Sequence, residues 1–397
     1  LQNVLLEKVQ KHPDREIYAE MLIWMYMQQN KYGAALIQAK AIDKRNKETG
    51  DRIMSLARMA MNNYKYSVAI EAYEYVKEKG PRNLNYLEAR QGLLSALQAQ
   101  IVNTNYNETS INQLVSEYQS ALEDVGFNSG TWKLVSNYAH VKAFYESKFN
   151  PSAIGSAIDI LNKGLSIPGL DETALAHLKL ELADIYVLTN RIWDASLLYG
   201  QVEKKFKYDE IGAEAKLKNA KVFYYAGDFG WAEAQLGVLK GSTSKLIAND
   251  ALELSVFISE NTGLDTTTTA LQMFAHTELF AAQHKYDSAL LVLDQIEEAF
   301  PGHELADNLY YQRAKIYQEQ GKFDMALKNY LQVADVYSDD ILADNALLEA
   351  GKIYELVLNQ PAEAREIYGR ILNDYPSSLF TVEARKRFRK LRGDAIN

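Results

Sequence analysis

Apolar side chains recur along this chain at steps of three and four, the spacing that puts them on one face of an α-helix. Residues 307–340 show the unit at its most complete. Tyr310, Ala314 and Tyr317 share one helical face. Gly321 follows, where a helix ends readily because glycine enters left-handed backbone without a Cβ clash. Phe323 and Asp324 then open a second helix. Asp324 is the expected N-cap and Phe323 the hydrophobic staple before it. Ala326, Tyr330, Val333 and Val336 carry the apolar face of that second helix. The pattern predicts a hairpin of two antiparallel helices.

The same frame recurs through the chain. A small residue opens the second helix at Ala35, Ala69, Ala195, Ala232, Ala289, Ala326 and Ala364. Three residues earlier stands an apolar group: Tyr32, Tyr66, Ile192, Phe229, Tyr286, Phe323. Nine earlier stands a large one: Tyr26, Tyr186, Phe223, Phe280, Tyr317. Four later comes a core position: Tyr73, Tyr199, Leu236, Leu293, Tyr330, Tyr368. Twelve later, Pro81, Pro301 and Pro376 stop the helix in three copies. In this frame the sequence resembles the tetratricopeptide repeat family over roughly two thirds of its length. The resemblance implies an all-α fold, a right-handed superhelical solenoid of antiparallel hairpins. Departures are Ala60 in place of the large aromatic, Ala39 in place of the core aromatic, and one extra loop residue before Ala364.

Read in order, the chain divides into N-terminal hairpins (1–82), degenerate helical repeats (83–170), middle hairpins (171–260) and C-terminal hairpins with a capping helix (270–397), as one continuous solenoid. In the degenerate part the pattern predicts helices over 86–97, 111–122, 132–144 and 153–165, with a polar loop at 101–110. An added helix is expected over 248–258. Residues 261–269, rich in Thr, form the most linker-like stretch and the candidate hinge. The last helix, 381–391, should cap the stack with Val382, Phe388 and Leu391 turned inward, since a terminal unit must shield the final apolar face.

Composition narrows the function. Apolar residues make up 47% of the 397, which fits an ordered chain. The formal charge of −9 argues against nucleic-acid binding, which needs a basic surface. With no cysteine there is no disulfide, thiolate metal site or thiol nucleophile. No apolar run reaches the roughly 20 residues that span a bilayer. The sequence starts at Leu1, so the chain shown is processed or trimmed, and a removed signal peptide or lipid anchor upstream stays open.

Candidate chemistry is sparse. His12, His140, His177, His276, His284 and His303 contain no pair at the spacing of three or four that one helical metal site requires. There is no Gly-rich phosphate loop. The pairs Glu297–Glu298 and Asp339–Asp340 fall at helix ends and read as caps and solvated faces. Neither enzyme activity nor a cofactor is expected. The resemblance instead implies that the first helix of each hairpin lines a concave groove. The groove positions are then Glu20, Trp24 and Met27; Met54, Arg58 and Met61; Leu217, Lys221 and Tyr224; Tyr311, Lys315 and Gln318. Aromatic residues, Met and Arg are the types that dominate protein-binding hot spots. The family's chaperone-binding members clamp a peptide carboxylate with Lys, Asn and Arg, and Met54 with Arg58 or Leu217 with Lys221 does not form that clamp. A basic patch, Arg385, Lys386, Arg387, Arg389, Lys390 and Arg392, lies on the last helix; it suits an anionic surface or helix-end cations favoured by the macrodipole.

A narrower resemblance concerns location. Ile367-Tyr368, Ile371-Leu372, Tyr375-Pro376-Ser377-Ser378 and Phe300-Pro301 are similar to the joints between hairpins in bacterial envelope lipoproteins and periplasmic coordinators. That resemblance implies a protein-binding accessory subunit of an outer-membrane or secretion complex, on the periplasmic side. A cytoplasmic adaptor or peptide-binding co-chaperone is the alternative.

Overall fold

The computed structural model describes residues 2–12, 14–103, 106–242, 244–262 and 268–394. Among them all regular structure is helical. Packing divides the chain into two units, residues 1–185 and 186–397. In the first, α1 (Gln2–Lys11) packs on α2 (Glu16–Gln28), which pairs with α3 (Tyr32–Asn46), and α4 (Asp51–Asn62) pairs with α5 (Tyr66–Lys77). Then come α6 (Tyr86–Val102), α7 (Glu108–Val125), α8 (Trp132–Phe144), α9 (Ala153–Leu165) and α10 (Glu172–Leu188), within which the division falls. The second unit holds α11 (Ile192–Lys205), α12 (Glu210–Tyr225), α13 (Phe229–Leu239), α14 (Lys245–Thr262), α15 (Thr269–Ala282), α16 (Tyr286–Ala299), α17 (Ala306–Glu319) and α18 (Phe323–Val336). It ends with α19 (Ala343–Lys352), a π-turn (Ile353–Val357), α20 (Pro361–Asp374) and α21 (Thr381–Arg392).

The recurrent alanines explain how tightly the hairpins close. All seven, from Ala35 to Ala364, are fully buried. The core position four residues on is buried as well, with Tyr199, Tyr330 and Tyr368 among the largest enclosed side chains. Helices 132–144 and 153–165 match expectation. The two between them and α5 run longer than predicted. The polar stretch before α7 starts a helix instead of extending a loop, because Asn107 and Ser110 form a reciprocal capping box. The linker-like stretch narrows too, since α14 continues to Thr262; residues 263–267 of the candidate hinge lie outside the described residues. Leu1, Pro13, Thr104, Asn105 and Thr243 also lie outside them.

Glycine is not the general stop signal. The bend after each first helix is a Schellman motif, in which a left-handed residue lets two amides reach back to free carbonyls. The left-handed residue is Asn30, Tyr64, Asn190, Gly227, His284, Gly321 or Asn359. The amide of the next residue then donates to the helix: Lys31 to Tyr26 O, Lys65 to Ala60 O, Arg191 to Tyr186 O and Lys322 to Tyr317 O, all at 2.8 Å. The backbone bonds thus set the hairpin, and several side chains tolerate the strained place. A different helix end gives the clearest test. Lys47, exposed, ends α3 at φ 54°. Lys47→Gly removes the left-handed penalty and is expected to raise stability by up to about 1 kcal/mol, measured as a shift in the urea midpoint.

Two local expectations are corrected. Asp324 does not cap α18; the helix starts one residue earlier at Phe323, Lys322 occupies the cap position, and no side chain caps it. The extra residue before Ala364 is not in a loop. It is absorbed inside the first helix as the π-turn, with Leu358 N–H donating to Ile353 O at 3.0 Å. Gln360 N–H still closes onto Tyr354 O at 2.8 Å, so the hairpin geometry survives the insertion.

Candidate protein-binding surface

Three rows of side chains were expected on the open face of the first helices. The residue eleven before the recurrent alanine forms the exposed row: Trp24 (60% exposed), Arg58, Lys221 and Lys315. The residues fifteen and eight before it lie roughly 40–60° further round the helix, both toward the neighbouring helix. Bulk there is taken into the core. Met54 and Tyr224, expected on the surface, are therefore buried, as is Leu217. Met27 and Met61 are half-buried against the first unit's core. Tyr311 packs edge-on to Tyr330 at 5.4 Å, and Gln318 accepts the Tyr330 hydroxyl at 2.9 Å. These two brace their own hairpin.

The exposed row differs between the units. In the first, Arg58 pairs with Glu88 of α6, and Arg52 of α4 pairs with Glu20 of α2 at 2.7 Å, so salt bridges link successive first helices. Trp24 stands free beside Ile17 and Met21, each exposed, at steps of three and four on one face of α2. In the second unit the row runs Lys221, Glu278, Lys315. Both lysines are exposed and make no ion pair with a described residue. Glu278 on α15 accepts the Tyr224 hydroxyl at 2.7 Å. Burial pushes its carboxyl above the usual range, against the downward pull of Tyr224, Lys315 and Lys221.

A carboxyl raised in the fold binds more protons folded than unfolded, so its contribution to stability falls as pH rises through the folded value. Ionised Glu278 is thus a liability near neutrality. Glu278→Gln, which keeps an acceptor for Tyr224, is expected to be more stable than the parent at pH 7. The advantage should vanish near pH 4, as urea midpoints at the two pH values would show.

Residues 345–378, from α19 through the joint after α20, match the tetratricopeptide repeat family. That segment is a tetratricopeptide repeat. No curated protein sequence matches it. Among solved structures, a tetratricopeptide repeat protein from Parabacteroides merdae ATCC 43184 is 13% identical, with 87% of this chain covering 99% of that one at a TM-score of 0.27. The P58(IPK) TPR domain is 14% identical, covering 94% and 96%, at 0.26. A human IFIT1 dimer with m7Gppp-AAAA is 12% identical, covering 98% and 84%, at 0.36. Proteins built of these repeats are, in general, protein-binding scaffolds without enzymatic activity.

The basic patch of this repeat protein is largely spoken for. Arg387 and Lys390 both reach Glu355, at 2.9 and 3.3 Å, and Arg387 also holds Glu383. Arg389 and Arg392 pair with Asp394. Arg385 and Lys386 are exposed without an ion pair among the described residues. Val382, expected to turn inward, is 74% exposed; Ala384 is the buried contact, with Phe388 and Leu391 packed beside it. The helix is thus tied to the preceding hairpin by its charges as much as by its apolar face. Among the described residues no group of His, Asp and Glu is placed to hold a metal ion, and no helix is long and apolar enough to cross a membrane.

Sequence reasoning missed a second feature. Trp193 and Trp231, in the first turns of α11 and α13, are 58% and 61% exposed. Both touch Phe223 of α12, at ring distances of 5.8 and 6.2 Å. Their sequence signal is a tryptophan one or two places before the recurrent alanine, where the second helix faces outward.

Proposed function

We propose that this repeat protein is a non-enzymatic scaffold that docks other proteins on the face of its first helices, as an accessory subunit of a bacterial outer-membrane or secretion complex. The observation that carries the docking surface is the stripe Ile17, Met21 and Trp24. It is a run of large apolar side chains left open along one face of α2. The periplasmic location draws its support from the joints Phe300-Pro301 and Tyr375-Pro376-Ser377-Ser378, and an N-terminal lipid anchor would hold the protein to the membrane.

A photocrosslinking amino acid at position 24, in cells, tests both parts. Envelope proteins should be captured, and Met21→Asp should lose the capture by more than tenfold. Capture of cytosolic proteins alone would refute the location. Undiminished capture in the Met21→Asp protein would move the binding face elsewhere.

A further inference from the structure

The repeats carry an internal comparison that singles out one hairpin. Nine residues before the recurrent alanine stands the large first-helix side chain, and four before it stands the residue that closes the Schellman bend. In three copies that second residue is a cation lying over the first residue's ring. Arg191 lies over Tyr186 at 3.9 Å, Lys285 over Phe280 at 5.9 Å and Lys322 over Tyr317 at 6.0 Å. Attraction between a cation and the ring's electron-rich face favours this stacking at such distances. Lys31 and Lys65 occupy the same step in the first two copies.

The last copy has the neutral Gln360 at this step, and the copy built on Phe223 alone reverses the charge. Its backbone is the same: Asp228 N–H donates to Phe223 O at 2.9 Å. The side chain at that step is a carboxylate instead of a cation. Asp228 is exposed, accepts the Trp231 amide at 3.2 Å, and makes no ion pair with a described residue. Around Phe223 the chain has instead gathered Trp193 and Trp231, with much of each indole open to solvent. Exposed indoles on the ring that lacks a stacked cation, with a carboxylate bonded to the amide of one of them, are complementary to a cation supplied from outside. Charge over the wider surface agrees. The second unit holds 23 Lys and Arg against 31 Asp and Glu, a net −8, while the first holds 20 against 21.

We infer that Trp193, Phe223, Trp231 and Asp228 form a receptor for an arginine side chain on a partner protein. The guanidinium stacks on an indole and pairs with Asp228, doing from another chain what Arg191 does within this one. A planar guanidinium can stack and donate hydrogen bonds together, which an ammonium cannot. The site is separate from the Ile17–Met21–Trp24 stripe and stands or falls independently of it.

The test uses the full chain labelled with 5-fluorotryptophan, which gives four fluorine resonances, one per tryptophan. The probe is a 12-residue Gly/Ser/Pro peptide with two arginines, titrated to millimolar concentration beside its citrulline twin, which keeps the shape and removes the charge. The arginine peptide should shift the Trp193 and Trp231 resonances, and the citrulline peptide should bind at least tenfold more weakly. Asp228→Lys restores the cation of the sister repeats, so it should fold normally and fill the site from within. Its affinity for the arginine peptide should drop at least tenfold. Unmoved Trp193 and Trp231 signals, equal response to citrulline, or full binding by the Asp228→Lys protein would each overturn the assignment.

Discussion

Gly351→Ala is expected to destabilise the C-terminal hairpins by about 1–3 kcal/mol, although alanine is the better helix former by about 1 kcal/mol. Gly351 sits inside α19, where a glycine normally weakens a helix. The facing ring of Tyr368 explains its presence. A Cβ at Gly351 would come within 2.5 Å of Tyr368 Cε1, closer than nonbonded carbons approach. The ring has no room to retreat, because Tyr368 is fully buried and its hydroxyl donates to Glu355 at 3.0 Å. Glu355 is fixed in turn by Arg387 and Lys390 of the last helix. Tyr368→Ala alone should lose about 3–5 kcal/mol through the cavity it leaves. The double variant should lose clearly less than the sum, since the added methyl then enters vacated space. Repeat arrays unfold piecewise, so hydrogen exchange of the α19–α20 amides is the suitable readout. Additive losses, or a Gly351→Ala protein more protected than the parent, would show that the ring and the glycine do not constrain each other.

How much of this was legible beforehand depends on the kind of interaction. The seven alanines and the tyrosines four places on were readable, because burial between two helices imposes size and hydropathy at fixed steps. The groove rows were only partly readable. Position on the helix separates exposed Lys221 from buried Tyr224 by some tens of degrees, and which side of that arc is covered depends on where α15 lies. Gly321 was readable as a helix end and holds the left-handed place, but the equivalent bends without glycine were not. Tyr64 and His284 hold the same left-handed conformation through backbone bonds that composition does not announce. The π-turn was seen as an extra residue and misplaced into a loop, since an insertion's position along a helix leaves no mark on the spacing of the flanking anchors. The basic helix looked like a free patch because its counter-charge, Glu355, lies 32 residues from Arg387. The Phe223 cluster needed two repeats laid side by side: a missing cation becomes informative only against copies that have it.

Asp43→Ala should cost the first unit about 3 kcal/mol. Asp43 lies in α3 and is fully buried, which a carboxylate tolerates only with donors at hand. Here the donors come from the next hairpin: the Tyr75 hydroxyl at 2.7 Å and the Lys79 ammonium. Lys79 also donates to Glu48 O at 2.9 Å, closing the end of α3 onto the end of α5. The Tyr75 ring is surrounded by Lys40, Lys44 and Lys79, with ammonium groups 5.1–5.8 Å from its centre. Removing the carboxylate leaves a hydroxyl unpaired and these cations without their buried anion. Lys79 is 22% exposed and can turn partly toward water, which holds the loss below the upper range for broken buried pairs. Asp43→Asn separates the contributions. It keeps an acceptor for Tyr75 but loses the charge, so it should fall between parent and Asp43→Ala. If Asn equals Asp, the hydrogen bond carries the contribution of this site and the charge adds nothing. If Ala costs less than 1 kcal/mol in the urea midpoint of the first unit, water already reaches Asp43 and the tie between hairpins rests on Ala35, Ala69 and their apolar neighbours alone.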